Sequence, residues 1–327
     1  MRCRISCGIH PSVGCYGIAV TKALFSRRGI LKLAGAAVGH AVLSPAQALA
    51  IGQPSLSRKI PKSGESLPAV GIGSSQTFDV TSEGDRAQVK EVMRVFSDLG
   101  GRVVDTSPMY GNAESVIGEV AAELRIGNQL FLATKVWTSG REAGIEQAQE
   151  SMRRMRTKRL DLIQVHNLLD VETHLRWLSD WKKAGQVRYL GVTHYQPSAH
   201  SALEKFVASK QVDFVQMNYS IAERDAERSL LPAAIASGTA VLVNRPFAAS
   251  DLFSRVRGHP LPEWSAEFDA TSWAQFFLKY VLAHPAVTCV IPASRNPKHA
   301  ADNMAAGRGR LPDEKMRRRM VDYVSSL

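Results

Sequence analysis

The chain has 327 residues, 45% of them apolar, and a formal charge of +11. That size and apolar share suffice for one large core or two medium ones. The charge would suit a nucleic-acid partner, but residues 1–50 carry six Lys/Arg and no Asp or Glu, and the remainder keeps 35 basic against 30 acidic residues, an ordinary +5 that excludes such a reading.

The first fifty residues read as a separate leader. Arg27 and Arg28 precede the moderately apolar stretch GILKLAGAAVGHAVL, which ends in Pro45 and the small residues Ala48-Leu49-Ala50, an A-x-A cleavage pattern. SRRGILK at 26–32 resembles a twin-arginine (Tat) export signal, S-R-R-x-F-L-K, with Ile30 in place of Phe. A membrane anchor fits less well: Lys32 and His40 interrupt the stretch, and no run of 18 apolar residues occurs. The resemblance implies a partner in the Tat machinery and a periplasmic or otherwise exported product. A leader that is not used would leave the protein in the cytoplasm. The expected division is therefore 1–50 signal peptide and 51–327 one domain. Cys3, Cys7 and Cys15 lie in the leader, so Cys289 alone would remain after cleavage and no internal disulfide could form.

Beyond the leader, SRKIPKSGESLPAV at 57–70 predicts a β-hairpin with Ser63-Gly64 at its tip. Short apolar runs then alternate with longer stretches of helical spacing. The runs are 70–73, 102–106, 130–135, 160–166, 187–194, 213–218, 240–244 and 288–294. The helical stretches are 84–99, 113–125, 141–155, 173–184, 197–209, 226–237, 272–284 and 297–306. Strands this apolar belong to a parallel sheet covered by helices, and eight βα units over about 250 residues match a (β/α)₈ TIM barrel. The hairpin would plug its N-terminal face. A doubly wound dinucleotide fold would need G-x-G-x-x-G after its first strand, and GIGSSQ lacks the third Gly. The basic tail after residue 310 reads as a further helix against the barrel.

In such barrels chemistry gathers at the C-terminal strand ends. Asp105, Lys135 and His166 close three successive runs, and Tyr110 follows the first of them. Taken singly, each has a structural alternative: a capping Asp, a surface Tyr, a solvated Lys, a core His. Together they must share one end of neighbouring strands. No H-x-x-x-H pair occurs among the nine histidines, so no metal is expected.

The segments VVDTSPMYGNAESVIGE, LFLATK, LDLIQVHN, GVTHY, VQMNYS and VIPASRNPKHAADN, in this order, resemble the aldo-keto reductase family over residues 58–310. The resemblance implies a nicotinamide-dependent reductase of a small aldehyde or ketone, with Asp105, Tyr110, Lys135 and His166 as its catalytic tetrad. Tyr110 would donate a proton to the carbonyl oxygen, Lys135 would lower its pKa, Asp105 would hold Lys135, and His166 would align the substrate. The same resemblance places Gln216, Thr193, His194 and Asn244 at the nicotinamide, and Ser294, Arg295, His299, Asp302 and Asn303 at the adenosine end. The family usually has Ser-Asn where this chain has Thr193-His194, and often an aromatic near Asn244 and Arg245. NADPH is the first choice of cofactor and NADH the alternative, because neutral His299 binds a phosphate less well than an Arg. A competing function is an exported cofactor-binding protein of the same fold with little turnover. A monomer is favoured. Trp137, Phe247, Phe253 and Trp264 are candidates either for an apolar substrate pocket or for ordinary packing.

Overall fold

The computed structural model describes residues 55–327, which belong to one compact unit. The leader with its arginine pair and its cleavage pattern lies outside the described residues.

The chain opens with strands β1 (Ser57–Lys59) and β2 (Ser66–Pro68), an antiparallel hairpin. Eight parallel strands follow: β3 (Ile72–Gly73), β4 (Val103–Asp105), β5 (Phe131–Val136), β6 (Leu160–His166), β7 (Val187–Thr193), β8 (Phe214–Asn218), β9 (Ala240–Asn244) and β10 (Val287–Val290). They pair in sequence order, and bridges Val70–Val290 and Gly73–Ala293 join the last strand to the first. The sheet therefore closes into the expected TIM barrel. Helices α1 (Glu83–Asp98), α2 (Ala113–Leu124), α3 (Arg141–Arg154), α4 (Val171–Lys183), α5 (His200–Ala208) and α6 (Leu230–Ser237) connect β3 through β9. A short α7 (Asp251–Arg255) and then α8 (Trp273–Leu282) follow β9, and α9 (Pro297–Ala305) and α10 (Glu314–Ser325) follow β10.

Both strand faces are apolar, as a covered parallel sheet demands. Val104, Leu132, Ile163, Leu190, Val215 and Val241 join the layer shared with the helices. Val103, Phe131, Ala133, Leu162, Tyr189, Phe214, Ala240 and Leu242 fill the barrel, together with Ile60 and Leu67 of the hairpin. The hairpin thus inserts its apolar side chains into the barrel floor. Tyr189 there donates to Glu65 (2.7 Å) and accepts from Ser63 (2.9 Å), and Arg188 pairs with Glu65 and with Asp161 (2.7 Å).

Four of the ten helix starts among the described residues have a capping side chain. Ser82, Ser272, Asn296 and Asp313 accept hydrogen bonds from backbone N–H groups in the first turns of α1, α8, α9 and α10. Several elements differ from expectation; the last strand, expected over 288–294, ends at Val290. The stretches 197–209 and 226–237 open as 3₁₀ turns and become α-helical only at His200 and Leu230. Helix α7 was not foreseen: five residues carry too short a pattern, and of its side chains Leu252 is the buried one. The tail helix α10 packs through Met320 and Val324, as expected.

Candidate active site

Inward-facing positions recur every second residue along a strand. The filling of the barrel identifies this set: 131 and 133 on β5, 162 on β6, 214 on β8, 240 and 242 on β9. Two residues further on, the same parity selects Lys135, Gln164 and then His166, Gln216, and Asn244. Asp105 holds the corresponding place after Val103 on β4. One apolar layer thus gives way to a polar one at the C-terminal end.

Lys135 is fully buried. Its Nζ donates to Asp105 Oδ2 at 2.6 Å and to the Thr106 carbonyl at 2.7 Å, and lies 5.1 Å from the centroid of the Tyr110 ring. Burial alone would depress the Lys135 ammonium, but the Asp105 carboxylate, and after it Tyr110, outweigh that and hold it above its ordinary value. Lys135 is therefore a cation at any working pH. Asp105 Oδ1 accepts from Gln164 (3.1 Å) and Gln216 (2.8 Å), so the carboxylate is held on both oxygens. Gly191 makes room for this: a Cβ there would lie 3.0 Å from both the Gln164 side chain and the Phe214 carbonyl.

Tyr110 sits on the turn between β4 and α2. Gly111 next to it has φ +55°, and a Cβ there would overlap the Asp79 carboxylate. Asp79 in turn accepts from the Asn112 N–H at 2.9 Å, which ties the turn to the loop after β3. The Tyr110 ring meets His166 edge to face, with centroids 6.1 Å apart. His166 Nδ1 is engaged by Ser107 at 3.2 Å, leaving Nε2 as the ring's other polar atom. Burial, then the Lys135 charge, pushes His166 down to about 3, so its imidazole is neutral at neutral pH. All four residues singled out in the sequence thus meet at one end of the barrel.

The remaining positions divide. Gln216 has no spare capacity: its Nε2 bonds Asp105 and, at 3.4 Å, Gln164, while its Oε1 accepts from Thr193 (3.0 Å) and Asn244 (3.3 Å). Asn244 Oδ1 is buried with no partner, as are Thr106 Oγ1 and Ser74 Oγ beyond β4 and β3. His194 stacks on Tyr195, with centroids 5.5 Å apart, and its Nδ1 accepts from the Gln196 N–H. After β10, Ser294 is engaged with Asn296, and Asp302 accepts from Ser272 (2.7 Å) and Gln275 (2.6 Å), which fastens α9 to α8. A small cleft lies between Gly71, Pro292, Ser294 and the largely buried Asn303, with exposed Arg295 and His299 nearby in sequence.

Of the four aromatics, Trp137 is beside the site, 6.3 Å from His166 between centroids and 40% exposed. Phe247 and Phe253 pair with one another at 4.8 Å beyond β9. Trp264 is packing, set among Phe268, Phe276 and Tyr323. Sequence reasoning missed Gln164 and Ser107. The alternation in LDLIQVH was the available signal for Gln164, because it shares the parity of His166; Ser107 had none. Among the described residues, no three His, Cys, Asp or Glu side chains are placed to hold a metal ion, and no helix is long and apolar enough to cross a membrane.

The closed parallel barrel and the polar layer at its C-terminal mouth define a barrel enzyme. The chain matches the Aldo/keto reductase family over residues 69–320. It belongs to that family and is an oxidoreductase. It is 29% identical over 247 residues to the methylglyoxal reductase YeaE of Escherichia coli, covering 73% of this chain and 85% of that one. An aldo/keto reductase from Klebsiella pneumoniae in complex with NADP and acetate superposes with a TM-score of 0.68 at 25% identity, over 80% of this chain and 93% of its own. An aldo-keto reductase of the same organism in complex with NADPH gives 0.67 at 25% identity, over 83% and 95%.

Proposed function

We propose that the protein reduces an aldehyde or ketone to the alcohol, with NADPH as cofactor and Tyr110 as proton donor. The observation that carries this is the buried Lys135 ammonium, fixed by Asp105 and lying under the Tyr110 ring. The bound dinucleotide would supply the hydride to the carbonyl carbon. Tyr110 gives its hydroxyl proton to the carbonyl oxygen as negative charge develops there. Lys135 stabilises the phenolate left behind, and Asp105 keeps Lys135 charged and aimed. Neutral His166 orients the carbonyl through Nε2, while Ser107 holds the ring by Nδ1. The residues present fit a nicotinamide dinucleotide: buried Asn244 Oδ1 is an open acceptor suited to an amide N–H, and the cleft at Ser294 and Asn303 suits the adenosine end. Gln216 serves by holding Asp105, Thr193 and Asn244 in register. The complexes of the Klebsiella pneumoniae relatives with NADP and NADPH support the choice of cofactor.

The test is Tyr110→Phe. Its affinity for NADPH, read by fluorescence titration, stays within about twofold, while turnover of a generic aldehyde falls about 10²–10⁴-fold. Near-normal turnover rules out the acid role. A wild-type protein that binds NADPH without turnover favours the cofactor-binding alternative. The leader directs export by the twin-arginine route, a reading supported by SRRGILK and the Ala48-Leu49-Ala50 pattern. Sequencing the mature N-terminus in fractionated cells tests it, and a cytoplasmic protein beginning at Met1 overturns it.

A further inference from the structure

One charged side chain at the mouth is used by nothing described so far. Arg245 follows β9 directly, next to Asn244, which hydrogen-bonds Gln216. Its backbone is left-handed, with φ +50°. Its guanidinium lies over the ring of Tyr195, which follows β7, at 5.7 Å from the centroid. The residue is half-buried, and its Nε is buried without a hydrogen-bond partner.

Among the described residues Arg245 forms no ion pair, and residues 1–54 contain no Asp or Glu that could provide one. Two other arginines that lean on tyrosine rings differ in this respect. Arg188 has Asp161 and Glu65, and Arg317 has Glu227 and Glu314. A guanidinium whose Nε–H is drawn away from water without a partner, and which has no counter-charge, is left partly unsatisfied, and an oxyanion relieves it best, through paired N–H···O bonds. Stacking on Tyr195 orients the fork without satisfying its N–H groups.

We propose that Arg245 is an oxyanion-binding residue of the mouth, pairing either with a phosphoryl group of the dinucleotide or with a carboxylate on the carbonyl substrate. This rests on the reading of the mouth as the site of both ligands. It makes the chain's departure from the family's usual residues at 244–245 a gain of anion recognition.

The test compares the wild type with Arg245→Gln and Arg245→Lys. Three readouts are used: NADPH affinity by fluorescence, thermal stabilisation by inorganic pyrophosphate and by 4-formylbenzoate, and kcat/KM for 4-formylbenzoate against its methyl ester. Loss of a charge-assisted pair weakens binding about 10- to 100-fold. If the anion is the dinucleotide's, Arg245→Gln loses that factor for NADPH and for pyrophosphate, and the acid/ester ratio stays put. If it is the substrate's, NADPH affinity stays within twofold, and the preference for acid over ester disappears. Arg245→Lys retains part of either effect. Because the unpartnered Nε–H is costly and only the Tyr195 ring contact is lost, Arg245→Gln unfolds at or slightly above the wild-type temperature when no ligand is added. Unchanged values on all three readouts, or a wild type that neither pyrophosphate nor 4-formylbenzoate stabilises, overturn the proposal. The stabilisation assay needs no turnover, so an inactive wild type that still shows Arg245-dependent stabilisation refutes the reductase reading alone.

Discussion

The two ends of the barrel hold similar chemistry under different constraints. At the floor, Arg188 stacks on Tyr189 and meets two carboxylates, Glu65 and Asp161, and the hairpin residues Ile60 and Leu67 seal the interior. At the mouth, Arg245 lies over Tyr195 and, among the described residues, meets no carboxylate, while Asn244, Thr106 and Ser74 keep buried polar atoms unpartnered there. Floor arginine and carboxylates satisfy one another, which favours the folded state and does little else. Open valences at the mouth cost stability and are retained where a ligand completes them.

The sharpest way to break this contrast is Lys135→Met. It leaves the Asp105 carboxylate buried without its cation, a loss of about 3–5 kcal/mol in unfolding free energy, and it abolishes turnover. Adding Asp105→Asn restores most of the stability by removing the stranded charge while its Oδ1 still accepts from Gln164 and Gln216, but no activity. Denaturant unfolding with parallel assays reads both; a double variant no more stable than the single one breaks the argument.

At the floor, Leu67→Ala removes a fully buried side chain from the plug and costs about 2–5 kcal/mol. Turnover per folded molecule changes little, because the hairpin lies at the opposite end from the tetrad. A large fall in kcat at full folding would show that the ends are coupled.

His166 gives the contrast a pH signature. Its folded value of about 3 lies below the ordinary 6.5, so the folded state binds its proton less readily than the unfolded chain does. The associated stability is complete above about pH 6.5 and is lost as pH falls towards 3, at a limiting slope of about 1.4 kcal/mol per unit. His166→Asn flattens that part of the stability profile; an unchanged slope places the titration elsewhere. The smallest effect is expected for Glu65→Gln. It weakens the half-exposed pair with Arg188 and keeps a hydrogen-bonding group for Tyr189, a change of about 0.5–1.5 kcal/mol in chemical denaturation with unaltered kinetics.

Much of the mouth was legible in advance because strand parity is a one-dimensional property. LFLATK and LDLIQVH alternate so that Lys135 and His166 share a face with the apolar filling below them, whereas Tyr110 was reached through its place on the loop after Asp105 and the family resemblance. What parity leaves open is partner choice. Gln216 looked like a free ligand for the nicotinamide amide, yet its side chain is spent on Asp105, Gln164, Thr193 and Asn244. Arg245 looked like the loss of an aromatic and has no ion pair among the described residues.

The sequence by itself determined the alternation of strand and helix and the strand ends at which Asp105, Lys135 and His166 fall, and its motifs carried the family resemblance that implied the tetrad. The alternation depends on apolar spacing within about a dozen neighbours, which one chain segment specifies alone. Only the tertiary structure decided which polar atoms are satisfied and which stay open. That outcome depends on the register of β4, β6, β8 and β9 together, where Asp105 meets Gln216 across 111 positions of chain, and no local pattern encodes a distance of that kind.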